Sequence, residues 1–171
     1  MAKKLLIAFA AIMLLSILAF AATKPNFSGT WTMDRARSFG MPGDMTQILT
    51  ITHKDDQLEV ETKIIQPNNE RTIKDTIILD GKEHDFTPAV PAGQTPPKGK
   101  RTATWLPGDT GITVTDVTTA QTPKGEITTQ NLRKWTINTQ GELVIDSYVD
   151  NPNVSYEAKR IFKKEPSAVR Q

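Results

Sequence analysis

Phe27-Ser28-Gly29-Thr30-Trp31 lies toward one end of this 171-residue chain and Ala158-Lys159-Arg160-Ile161-Phe162-Lys163 toward the other. A Gly-x-Trp on a first strand and an arginine on a last strand are what a closed antiparallel barrel uses where its two ends meet. Gly29 and Trp31 are therefore expected to be structural. The stretch between them reads as strand almost throughout. Leu58, Val60, Thr62 and Ile64 alternate with Glu59, Glu61 and Lys63, the pattern of a half-buried strand with one wet face. Ile112, Val114 and Asp116 alternate with Thr113, Thr115 and Val117, though less cleanly. Threonine, which is β-branched and suits a pleated surface, is abundant.

Turn signals cut the chain at short intervals: Asp55-Asp56, Pro67-Asn68-Asn69, Asp80-Gly81, Pro107-Gly108-Asp109, Pro123-Lys124-Gly125, Gln140-Gly141 and Asn151-Pro152-Asn153. They leave strand-length pieces near 28–33, 46–53, 57–65, 70–79, 82–87, 100–106, 111–119, 126–137, 142–149 and 153–163. With no helical period between them, these pieces predict an all-β, up-and-down antiparallel barrel of about 8–10 strands, because a meander this long removes its edges by closing. Two segments stand apart. Arg35 to Asp44, with Gly40, Pro42 and Gly43, is too rich in glycine and proline for a stable helix. Residues 88–100 hold four prolines and two glycines and read as a long loop, either a lid at a barrel mouth or a solvated insertion.

Residues 1–21 read as a secretory signal peptide: Lys3-Lys4, an apolar run from Leu5 to Phe20, then the small-residue site Ala19-Phe20-Ala21. The run is shorter than the roughly 20 residues of a spanning helix, so no stable membrane anchor is expected. Removing Lys3 and Lys4 leaves nineteen basic residues against nineteen acidic ones. That neutrality disfavours a nucleic-acid partner. The absence of cysteine excludes disulfide scaffolds, thiol catalysis and cysteine metal sites. A periplasmic or secreted location is the expectation, with residues 26–164 as one domain and 165–171 as a disordered tail.

These residues resemble the calycin group, the lipocalins and fatty-acid-binding proteins. Phe27 to Trp31 is similar to the first-strand motif of both. The stretch from Leu132 to Lys164, with Lys134-Trp135-Thr136, the Gln140-Gly141-Glu142-Leu143 turn and Arg160-Ile161-Phe162-Lys163, resembles the closing strands of the fatty-acid-binding proteins. Exported bacterial lipocalin-like proteins resemble the chain most, through Phe27 to Trp31, Thr46 to His53, Asp80-Gly81-Lys82-Glu83-His84, Ala103-Thr104-Trp105 and Lys134-Trp135-Thr136. The resemblance implies a barrel with an internal ligand. There are departures. The fatty-acid-binding proteins carry two short helices between their first two strands, which Arg35 to Asp44 cannot hold. Their terminal Arg-x-Tyr, which binds a ligand carboxylate, is here Arg160-x-Phe162.

Alternation on the last strand puts Tyr156, Ala158, Arg160 and Phe162 on one face, expected to point inward. Arg160 would then either anchor an acidic ligand head or stack on Trp31 as a plug. Arg101 shares a face with Ala103 and Trp105, and Arg133 shares one with Trp135 and Ile137. Both arginines could face the cavity or snorkel from strand ends into water. His53 and His84, the two histidines, show no metal-ligand spacing and are expected at the surface, so neither a metal nor a cofactor is predicted. No Gly-x-Ser-x-Gly elbow, phosphate loop or carboxylate pair points to catalysis.

The preferred reading is a non-enzymatic exported protein holding a small apolar or amphipathic molecule. Its inner wall would come from Leu58, Val60, Ile64, Ile112, Val114, Trp105, Trp135, Ile137 and Phe162. The rival is a packed barrel serving as an interaction module, and strand count separates the two, since ten strands leave room that eight do not. An enzyme in the barrel mouth, built around His84 and acidic residues, is the third alternative.

Overall fold

A computed structural model describes residues 24–40, 44–90, 93–123 and 125–166. The expected signal peptide and residues 167–171 of the expected tail lie outside the described residues. Ten strands form one antiparallel sheet among them: β1 (Gly29–Met33), β2 (Thr46–Lys54), β3 (Gln57–Gln66), β4 (Asn69–Ile78), β5 (Glu83–Phe86), β6 (Lys98–Trp105), β7 (Gly111–Thr122), β8 (Gly125–Ile137), β9 (Leu143–Asn151) and β10 (Val154–Lys164). Each falls where alternation and turn chemistry place it. Among the described residues of the connection after β1 one 3-10 turn forms, Arg35–Arg37. Phe39 then pins it to β10 by exchanging backbone hydrogen bonds with Lys159 (2.9 and 3.1 Å).

The order in the sheet is β4-β3-β2-β1-β10-β9-β8-β7-β6-β5, so the two chain ends meet in the middle. Trp31 pairs with Lys164 and Met33 with Phe162. Glu165, placed in the tail by sequence, donates its backbone N–H to the Thr30 carbonyl at 2.8 Å. Gly29 sits at φ +134°, which an L side chain rarely adopts, so the start of β1 requires glycine.

The sheet curls on itself but its ladder does not close. Its edges are β4 and β5, consecutive strands that share no ladder among the described residues. Leu79 donates its N–H to the Asp56 carbonyl (2.7 Å) and Gly81 to Ala103 (3.0 Å), so the link after β4 is held by the β2–β3 turn and by β6. β5 is only four residues long. The barrel is incompletely closed, with its seam at β4/β5 and not at the chain ends.

One end is solid. Phe27, Trp31, Leu58, Ile112, Val114 and Leu143 are fully buried there, each worth roughly 1.5–3 kcal/mol if moved from water, and Ile77 and Phe162, equally buried, join this core to the space beside it. The Trp31 indole N–H donates to the Phe27 carbonyl at 2.8 Å, which satisfies its one polar atom.

Candidate functional site

Above this packed end the inward faces diverge and leave a cavity of about 360 Å³. Leu49 of β2, Val60 and Ile64 of β3, Ile73 and Ile77 of β4, Ile145 of β9 and Phe162 of β10 form its apolar wall. The other wall is charged: Arg101, Arg133 and Arg160 all line it. Strand periodicity alone brings them there, because inward positions recur every second residue.

Arg101 is an interior hub. Register sets it directly opposite Asp116, and its Nε and Nη2 donate to the two Asp116 oxygens at 2.6 and 3.2 Å. Its Nη1 donates to both oxygens of Asp75, across the seam on β4, at 2.7 Å. Asp116 also accepts from Arg133 Nη2 at 2.6 Å. Burial works hardest against the Arg101 charge, yet the hydrogen bonds and charges of Asp116 and Asp75 together hold its pKa above the ordinary guanidinium value. For Arg133 burial prevails, aided by the charge of Arg101 and opposed by Asp116 and Asp75, and its pKa is pushed down. Arg160 is pushed down too, by burial first and then by Arg133, against a smaller opposing influence of Tyr156.

The inward face of β8 is under-satisfied. At three successive inward positions, the Asn131 Oδ1, the Arg133 Nε and the Trp135 Nε1 are buried and have no hydrogen-bond partner among the described residues. Ser147 Oγ, on β9 opposite Arg133, is a fourth such atom. All three β8 residues line the cavity. A buried polar atom left unpaired costs about 1–3 kcal/mol, and these three stand on the wall of a cavity with room for a hydrogen-bonding partner.

The expected site divides accordingly. Arg101, Arg133, Trp135, Arg160 and Phe162 come together on the cavity wall, with Val60 and Ile64 facing them. Arg101 and Arg133 do not snorkel, because Asp75 and Asp116 hold them inside. Arg160 does not plug the barrel on Trp31. Lys164, the register partner of Trp31, places its Nζ over that ring at 5.1 Å.

Trp105 is not a cavity residue. It stacks on Phe27 (centroids 6.4 Å) at the solid end and donates its indole N–H to Asp56 at 3.0 Å. Tyr156 keeps the parity of Arg160 but is 46% exposed and off the cavity wall. Leu58, Ile112 and Val114 belong to the solid core, with Ile137 packed against it. His53 is half-buried against Phe27 and Trp105, not a free surface group, whereas His84 sits 2.9 Å from Asp80 at the turn before β5.

Sequence reasoning missed Asp75 as a partner and did not read Asp116 as one. The signal was present: Asp75 lies on the Ile73/Ile77 face and Asp116 on the Ile112/Val114 face, each a carboxylate on an apolar stripe. Among the described residues no cluster of histidine and carboxylate could hold a metal ion, and no helix is long and apolar enough to cross a membrane.

No known family profile matches this chain, and no curated protein does. Among solved structures it is similar to secretory abundant heat soluble protein 4 of Ramazzottius varieornatus, at 14% identity and TM-score 0.49, covering 84% of this chain and 97% of that one. It is similar to human cRBP IV at 15% identity and TM-score 0.47, covering 82% and 99%. A fatty-acid-binding protein from Drosophila melanogaster brain tissue matches at 16% identity and TM-score 0.45, covering 81% and 99%.

Proposed function

We propose that this protein is an exported carrier whose barrel holds one small amphipathic molecule, its anionic head against the arginines and its apolar part against β2–β4. The observation that carries this reading is the row of unpaired polar atoms on β8, lining a cavity of about 360 Å³. That volume lies in the range of roughly 300–1,000 Å³ usual for small-molecule sites. Charge supports an anion. Arg101, Arg133 and Arg160 all line the cavity, Arg101 held by Asp75 and Asp116 and Arg133 by Asp116, while Lys74, also on the wall, pairs with Glu61 at 3.3 Å. Three guanidinium groups on one cavity wall favour a ligand carboxylate or comparable monoanion.

Titration with a fluorescent fatty-acid probe tests the reading, with native mass spectrometry of protein purified from its source. Saturable one-to-one binding and a co-purifying small acid are expected. A barrel that binds neither would return the chain to the packed-module reading. Export rests on the leader-like residues 1–21, and intact-mass measurement of the mature protein should show their loss near Ala21. A full-length membrane-bound species would defeat that part.

A further inference from the structure

The unpaired atoms on β8 differ in kind, and the difference says what would pair them. Trp135 Nε1 and Arg133 Nε are N–H donors, whereas Asn131 Oδ1 is an acceptor, and all three residues line the inner cavity. Trp135 is 3% exposed and packs edge-on against Phe27, with ring centroids 6.3 Å apart, so its indole cannot turn away to water. Arg133 is fixed as well, its Nη2 on Asp116 at 2.6 Å. Each nitrogen of Arg101 already donates, Nε and Nη2 to Asp116 and Nη1 to Asp75. The open donors of β8 are those of Arg133 and Trp135. Successive inward positions lie roughly 6.5 Å apart along a strand, which sets the backbone of Asn131 roughly 13 Å from that of Trp135. One carboxylate, with hydrogen bonds of about 2.9 Å on either side, bridges two neighbouring donors but cannot span all three positions.

We infer that the molecule this barrel takes is a hydroxy acid, whose carboxylate accepts from Arg133 Nε and Trp135 Nε1 while a hydroxyl a few carbons along donates to Asn131. This rests on the carrier reading above. A carboxylate only accepts, so it matches the two donors and not Asn131, where it would set oxygen lone pairs against oxygen lone pairs. A hydroxyl both donates and accepts, and so serves whichever end of the Asn131 amide faces it. An unsubstituted acid would leave Asn131 Oδ1 buried and unpaired, at the full cost of its desolvation. Arg160, on the same wall, adds its charge to the field at the carboxylate. Because Trp135 lies on the side of the solid end and Asn131 away from it, the acid enters head first. Its alkyl remainder then rests on Leu49, Val60, Ile64, Ile73 and Ile77 across the cavity.

Competition against a bound fluorescent fatty-acid probe tests this, using a saturated fourteen-carbon acid and its 3-hydroxy derivative on wild type, Asn131→Leu and Trp135→Phe, with far-UV circular dichroism confirming the fold of each. Wild type should bind the hydroxy acid about five- to tenfold more tightly, the worth of one hydrogen bond. Asn131→Leu should bring the two acids within about twofold of each other while still binding the plain one. Trp135→Phe should weaken both acids alike and leave their ratio unchanged. The wild-type ratio stands whether or not a variant folds. Wild-type affinities within about twofold of each other would overturn the inference and leave the carrier reading intact, water then being what pairs Asn131. A preference that survives in folded Asn131→Leu would overturn it too. A wild-type protein that binds neither acid nor probe would overturn both readings.

Discussion

Asp116 stands between two arginines, accepting from Arg101 Nε and from Arg133 Nη2, both at 2.6 Å. One carboxylate on β7 therefore holds cations from both neighbouring strands. Its removal would strand both in the interior. Asp116→Ala is expected to destabilise by about 3–5 kcal/mol, the cost of leaving a buried pair half-made, read as a lower urea midpoint with unchanged slope. A midpoint equal to wild type would show that water, not Asp116, balances these charges.

Arg160 lies beside the cavity and not on Trp31, so its loss should fall on binding more than on folding. Arg160→Gln is expected to weaken a fatty-acid probe by about 1.5–3 kcal/mol, the range for hydrogen bonds to charged groups. Denaturation and probe titration on the same variant check this. Unchanged affinity would remove Arg160 from the head-group site.

Trp31 closes the junction of the two chain ends and is 1% exposed. Trp31→Ala should cost about 3–5 kcal/mol, with the hydrogen bond to Phe27 lost as well as the packing. Equilibrium unfolding followed by circular dichroism gives the value. Little change would mean that β1 contributes nothing to holding the sheet together.

His53 is held as the neutral imidazole: Nδ1 accepts the Phe27 N–H at 3.4 Å and Nε2 donates to the Asp55 carbonyl at 3.1 Å. Burial lowers its pKa, against the opposing Asp55 carbonyl and Asp56 charge. The unfolded chain therefore takes up this proton first as pH falls. Stability should be full above the ordinary value of about 6.5 and decline below it until the folded-state pKa is reached. His53→Gln should flatten that segment of the stability profile. A wild-type profile flat below pH 6.5 would contradict the assignment.

Strand positions, turns and the inward set were legible in the sequence because each depends on neighbours one or two residues away. Asp55-Asp56 and Asn151-Pro152-Asn153 turn the chain wherever they occur, and alternation puts Val60, Ile64, Arg133, Arg160 and Phe162 inside whatever strand comes next. Partnership was not legible. That Lys164 and not Arg160 covers Trp31 follows from the register of β1 on β10. The Arg101–Asp75 pair joins positions 26 apart on strands that share no ladder. Whether Trp105 lines the cavity or fills the solid end depends on its height along the barrel, which the shared alternation of Arg101, Ala103 and Trp105 does not encode. The seam lies where the link after β4 bonds to β6 and to the β2–β3 turn, and β5, four residues long, pairs with β6 and not with its predecessor. Local sequence chose the face of every side chain. Long-range register and the curl of the sheet decided which of those faces met, and so where a barrel with matched ends kept an opening.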